Sequence, residues 1–115
     1  MAMSLAQTQQ TMQLYGNALV GHGDFAQYFG DDVECTIEGT DQRYQGRDAV
    51  RGWITDAHSL GEIKLRSLFT GEEHAAVEAD FIRKDGHHVP YAVIYDLAYG
   101  KITALRLYFT GPVQA

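Results

Sequence analysis

Cysteine occurs once and proline twice in these 115 residues, and no lysine or arginine precedes Arg43. The single thiol, Cys35, has no partner for an internal disulfide, which excludes a cystine-stapled fold and makes a reducing cytoplasm the expected location. No window approaches the ~18 consecutive apolar residues of a membrane span. Met1 to Gln13 has neither the basic start nor the apolar core of a secretory leader, so none is expected. Residues 1–42 carry six acids (Asp24, Asp31, Asp32, Glu34, Glu38, Asp41) and no Lys or Arg, whereas residues 43–115 carry nine acids and nine bases, so the net charge of −6 is N-terminal. Without a basic stripe, neither nucleic acid nor an anionic membrane surface is an expected partner. What remains is ordinary globular composition, 45% hydrophobic and 21% charged, at a length that suits one domain over residues 1–115.

Ser4 is a suitable N-cap, and Leu5, Met12, Tyr15 and Leu19 follow on one helical stripe that Gly21 and Gly23 close. Asp24 and Gln27 have capping-box spacing ahead of a short second helix whose apolar side is Phe25, Tyr28 and Phe29. From Val33 the period becomes two, with Val33, Cys35 and Ile37 on one face of a half-buried strand. Residues 39–46 read as loop. Val50, Trp53, Ile54, Ala57 and Leu60 then predict a third helix, closed by Gly61. Four β-rich runs follow, 63–70, 73–84, 87–98 and 101–110, parted by Gly71-Glu72, Asp85-Gly86 and Tyr99-Gly100. The order α-α-β-α-β-β-β-β predicts an α+β fold in which three helices cover one face of an antiparallel sheet.

This order resembles the nuclear transport factor 2-like superfamily, with its SnoaL-like, ketosteroid isomerase and limonene epoxide hydrolase branches. Four segments carry the resemblance: Tyr15-Gly-Asn-Ala-Leu19, Phe29-Gly-Asp-Asp-Val33, Gly46-Arg-Asp-Ala-Val50 and the last strand from Gly100 to Phe109. The resemblance implies a cone-shaped curved sheet enclosing one deep apolar pocket, and a homodimer formed sheet to sheet.

Glu78 and Asp80 are two apart on a strand and therefore share a face. In an apolar pocket, repulsion and desolvation would separate their pKa values into an acid and a base. Simple alternation turns Val77, Ala79 and Phe81 inward instead, whereas the resemblance implies that Glu78 and Asp80 face the pocket and that Val77, Ala79 and Phe81 lie under a partner subunit. Both orientations stay open. The resemblance also matches Tyr15 to the tyrosine that donates to the substrate oxygen in ketosteroid isomerase, against the alternative of a core tyrosine. Tyr91 and Tyr95 share a strand phase with Val89 and Val93 and offer further donors. Trp53 and Ile54 lie on the buried stripe of the third helix, with His58 at its edge as a candidate acid or base. Cys35, on an inward phase, reads as an inert thiol in the pocket wall.

The departures from the family pattern are equally specific. The positions of the two isomerase carboxyl groups fall on Ile37 and Val93, and a last-strand aspartate of the hydrolase and cyclase branches falls on Leu107. Any acid or base therefore comes from Glu78, Asp80, His58 or the loop residue Asp41. His87 and His88 point to opposite faces, and no metal-ligand spacing is present. These residues lead to an expected pocket for an apolar molecule bearing a carbonyl, epoxide or phenolic oxygen, with cofactor-free isomerisation, cyclisation or hydration as the expected chemistry. The rivals are a pocket that binds without catalysis, and an assembly module working through an outer face of Val77, Ala79, Phe81, Ile94, Arg106 and Tyr108.

Overall fold

The computed structural model describes residues 3–111, so the ends of the expected 1–115 domain lie outside the described residues. Helix α1 spans Leu5–Val20. Its cap is a full capping box, in which Ser4 Oγ accepts from Gln7 N at 3.2 Å and Gln7 Oε1 accepts from Ser4 N at 2.8 Å. One side of α1 is buried through Met12, Tyr15 and Leu19, and the buried Thr8 hydroxyl donates to the Glu72 carbonyl, tying the helix to the far end of the sheet. Helix α2, Arg47–His58, buries Val50 and Ile54. Arg47 anchors its start by donating to the Phe29 carbonyl and, at 2.6 Å, to Asp31.

Six strands form one sheet: β1 (Phe29–Ile37), β2 (Arg43–Gln45), β3 (Gly61–Thr70), β4 (His74–Arg83), β5 (His88–Ala98) and β6 (Lys101–Phe109), in the order β2-β1-β6-β5-β4-β3. The last four make a meander of hairpins. Its β5–β6 turn places Tyr99 at φ 54 and Gly100 at φ 77, the pair of left-handed residues that matches the twist of the flanking strands.

The α+β architecture holds, with four local corrections. The sheet is mixed, because β1 runs parallel to β6, Cys35 opposite Leu105 and Ile37 opposite Leu107. A parallel pair needs a long crossover, and α2 with the intervening strands supplies it. The second helix is a 3-10 segment of four residues, Phe25–Tyr28, and Asp24 makes no side-chain cap; instead Gln27 donates to the Asp24 carbonyl. Phe29 belongs to β1, which starts before its alternation becomes regular because its pairing with β6 shifts between Phe29 and Glu34. Within the expected loop, β2 pairs three residues with β1, a stretch too short for a period to be read.

The helices cover one face of the sheet. On β4 the buried residues are Ala75, Val77, Ala79 and Phe81, and on β5 they are Val89, Tyr91, Val93, Tyr95 and Leu97. These strands alternate against α1 and α2, and each large side chain fully buried in this way contributes about 1.5–3 kcal/mol.

Candidate functional site

Beneath α2, the inner face of β4, β5 and β6 meets the N-terminal helix around a small apolar chamber of about 40 Å³. Tyr15 and Leu19 reach it from α1, and Trp53, Ile54 and Ala57 from α2. The strands add Tyr91, Val93 and Tyr95, together with Leu105, Leu107 and Phe109. Aromatic rings take up much of the space: Tyr91 stacks on Phe109 with centroids 4.9 Å apart, and Tyr15 meets Tyr95 at 5.7 Å. A volume of this size holds a few waters.

The polar groups of the lining are the phenols of Tyr15, Tyr91 and Tyr95 and the indole N–H of Trp53. Burial pushes all three phenols well above the ordinary tyrosine range. For Tyr91 the nearby Asp80 charge adds to that, while for Tyr15 an interaction with the Tyr95 hydroxyl offsets part of it. All three are therefore neutral hydrogen-bond donors near pH 7, suited to a ligand oxygen. They do not carry protons away.

Seven sequence-expected residues come together here: Tyr15, Trp53, Ile54, Tyr91, Val93, Tyr95 and Leu107. Five do not. Glu78 and Asp80 project from the opposite face of β4, because the strand turns its apolar phase, Val77, Ala79 and Phe81, toward the helices. Glu78 is exposed. The Asp80 side chain, 15% exposed, lies 3.3 Å from Arg66 and 3.6 Å from His88 on that outer face. His58 sits past the end of the chamber, its ring 4.8 Å from His22 and 5.9 Å from Phe25. Burial lowers its pKa, the neighbouring His22 lowers it further, and Glu62 opposes both. Cys35 and Ile37 are buried on β1 but do not line the chamber; burial pushes the Cys35 thiol up to about 12, leaving it protonated. Asp41 is an exposed loop residue.

The same alternation removes Val77, Ala79 and Phe81 from the outer face, while Ile94, Arg106 and Tyr108 do lie on it. Phe81 lines the chamber on the inward phase that simple alternation gives β4, and Leu105 and Phe109 share the phase of Leu107 on β6. Leu19 and Ala57 were on helical stripes already recognised. Among the described residues, no group of three His, Cys, Asp or Glu side chains is placed to hold a metal ion.

The chain matches no protein-family profile and no curated protein sequence. Solved structures resemble it closely in shape. A ketosteroid isomerase-like protein from Kribbella flavida superposes with a TM-score of 0.84 at 19% identity, covering 94% of this chain and 81% of its own. A nuclear transport factor 2-like protein of unknown function from Mesorhizobium loti gives 0.82 at 19% identity, covering 93% of each chain. A SnoaL-like protein of the polyketide cyclase type from Jannaschia gives 0.75 at 13% identity, covering 91% and 86%. The chain thus has the α+β fold of the nuclear transport factor 2-like superfamily, a curved mixed sheet of six strands with its helices packed inside, which it shares with ketosteroid isomerase-like and SnoaL-like proteins.

Proposed function

We propose that this protein binds a small, largely apolar molecule through an accepting oxygen and releases it unchanged. The observation that carries this reading is the convergence of three neutral phenols, Tyr15, Tyr91 and Tyr95, in an apolar lining that, among the described residues, contains no carboxylate and no imidazole. Such a wall orients an oxygen but offers no group to take up a proton. The outward course of Glu78 and Asp80 argues against the catalytic alternative, in which one of them serves as acid or base for isomerisation, cyclisation or hydration. Binding of this kind calls for no cofactor. The unpaired Cys35 suits a reducing compartment such as the cytoplasm.

A homodimer formed through the outer sheet face belongs to the same proposal. Phe69, Ala76, Ile94 and Arg106 occupy one row across β3, β4, β5 and β6, with Tyr108 in the next row. Phe69 is 59% exposed and Tyr108 46%, so apolar surface lies open to a second copy of this chain.

The test is calorimetric titration with three ketones of increasing size, acetophenone, 2-acetonaphthalene and progesterone, followed by chromatography of the recovered compound. Saturable binding of at least one with quantitative recovery supports the reading. Conversion of the ketone transfers support to the enzyme, and no binding of any of the three overturns the proposal.

A further inference from the structure

The chamber beneath α2 is too small for a ring, but a second space adjoins it. Between α1 and β3 a cleft of about 160 Å³ is bounded by Met12, Gly16, Leu65, Leu68 and Val77, and it shares the Tyr15, Leu19 and Tyr95 wall with the chamber. We infer that the ligand's ring occupies this cleft, with its oxygen on Tyr15 or Tyr95, and that the protein selects single-ring neutral ketones or phenols over fused-ring compounds. This rests on the binding function proposed above and adds the place and the class of ligand.

Volume sets the class. An enclosed apolar cavity of about 150 Å³ takes up benzene, so one ring fits within this cleft and a second would extend through its mouth into water. The local fold explains why it exists. A bulge interrupts the pairing of β3 with β4, so that Leu65 lies opposite Ala79 and Ser67 opposite Glu78, with Arg66 as the extra residue. Leu65 and Leu68, three apart and hence on opposite faces of a regular strand, both turn toward α1 because of that extra residue. On the helix side the buried Gly16 lets Leu65 lie close against α1, since a Cβ there would stand 3.1 Å from Leu65 Cδ1. The result is a greasy slot with an open mouth, since Leu65 and Leu68 are 37% and 41% exposed.

Charge decides between neutral and acidic ligands. Arg66 is the one cation at the rim among the described residues that line the cleft, and its Nε lies 3.3 Å from Asp80 on the outer face. A ligand carboxylate would have to displace Asp80 to reach it. The other polar side chains along the cleft are Ser67 and the Tyr15 and Tyr95 phenols, none of which carries a charge to offset the desolvation of a ligand carboxylate.

The experiment uses methyl-labelled wild-type protein and acetophenone, with intermolecular nuclear Overhauser contacts mapped at saturation and affinity measured for the wild type and Leu68→Trp. Contacts from the ring protons to the methyls of Met12, Leu68 and Val77, with at least a tenfold loss of affinity in Leu68→Trp, are the expected results. Contacts to Ile54 and Leu107 instead place the ring beneath α2 and overturn the inference while leaving the binding function standing. So does binding of 2-acetonaphthalene or progesterone in preference to acetophenone. Failure of all three ketones to bind removes both. Because the contacts are read in the wild type, a misfolded Leu68→Trp does not decide the outcome.

Discussion

Tyr15 and Tyr95 meet edge to face with ring centroids 5.7 Å apart, where the wall of the chamber beneath α2 is also the wall of the α1–β3 cleft. One phenol comes from the first helix and the other from the fifth strand, so the pair joins the N-terminal helix to the middle of the sheet. Both are buried, and the recognition proposed above depends on their staying protonated.

Alkaline pH tests that protonation state. The folded-state pKa of Tyr15, Tyr91 and Tyr95 is raised, so the stability associated with their neutral forms is intact below the unfolded value of about 10 and declines above it. Each group that stays neutral in the folded state while ionising in the unfolded chain costs about 1.4 kcal/mol per pH unit in that range. Denaturant titrations across the range are expected to show falling stability, with the phenolate absorbance of these three tyrosines appearing together with unfolding. Their ionisation in fully folded protein near pH 10 would contradict the burial argument.

Glu78→Gln is expected to leave acetophenone affinity within twofold of wild type. The residue points away from both cavities, with Val77 and Ala79 on either side turned toward the helices. A tenfold loss in the titration would put the carboxylate in contact with the ligand.

Gly61 opens β3 where the strand presses hardest on its neighbour. A Cβ at this position would collide with the Ile82 carbonyl oxygen and come within 2.9 Å of Phe81 Cζ. Backbone on one side and a core ring on the other leave little room to yield. Gly61→Ala is expected to destabilise by about 2–4 kcal/mol in a denaturant unfolding experiment; a change below about 0.5 kcal/mol would mean that the two strands separate easily here.

Ile94→Asp probes the outer face. Ile94 sits in the row between Ala76 and Arg106, near the middle of the sheet and pointing away from the core. Light scattering on a sizing column is expected to report a dimer for wild type and a monomer for the variant, with circular dichroism unchanged. A wild-type monomer would remove the proposed interface.

Much of the fold was legible because its signals are local. The stripe of Leu5, Met12, Tyr15 and Leu19 marks α1, and the Tyr99-Gly100 and Asp85-Gly86 turns mark the hairpins, since each rests on periodicity or on left-handed backbone at a known place. The parallel β1–β6 pair and the three-residue β2 depend on contacts distant in sequence or too few to show a period. The site was legible in part for the same reason. Tyr91, Val93 and Tyr95 follow from the phase of one strand, but the facing of Glu78 and Asp80 had two conflicting guides. The strand's own apolar phase was the sound one: turning Val77, Ala79 and Phe81 outward would have emptied the core beneath both helices. The cleft was illegible, since the bulge at Arg66 that creates it leaves no mark in the hydrophobic pattern.

The most direct measurement compares acetophenone with ethylbenzene, which has a similar ring and side chain but no oxygen, on wild type and on the double variant Tyr15→Phe/Tyr95→Phe. A neutral hydrogen bond is worth about 0.5–1.5 kcal/mol net, so wild type is expected to prefer acetophenone by about twofold to twelvefold. The double variant, with both hydroxyls gone and no orphaned partner between them, is expected to lose that preference and to favour ethylbenzene, because a carbonyl buried without a donor carries its desolvation cost uncompensated. An undiminished preference for acetophenone in the double variant would contradict recognition through the buried phenols.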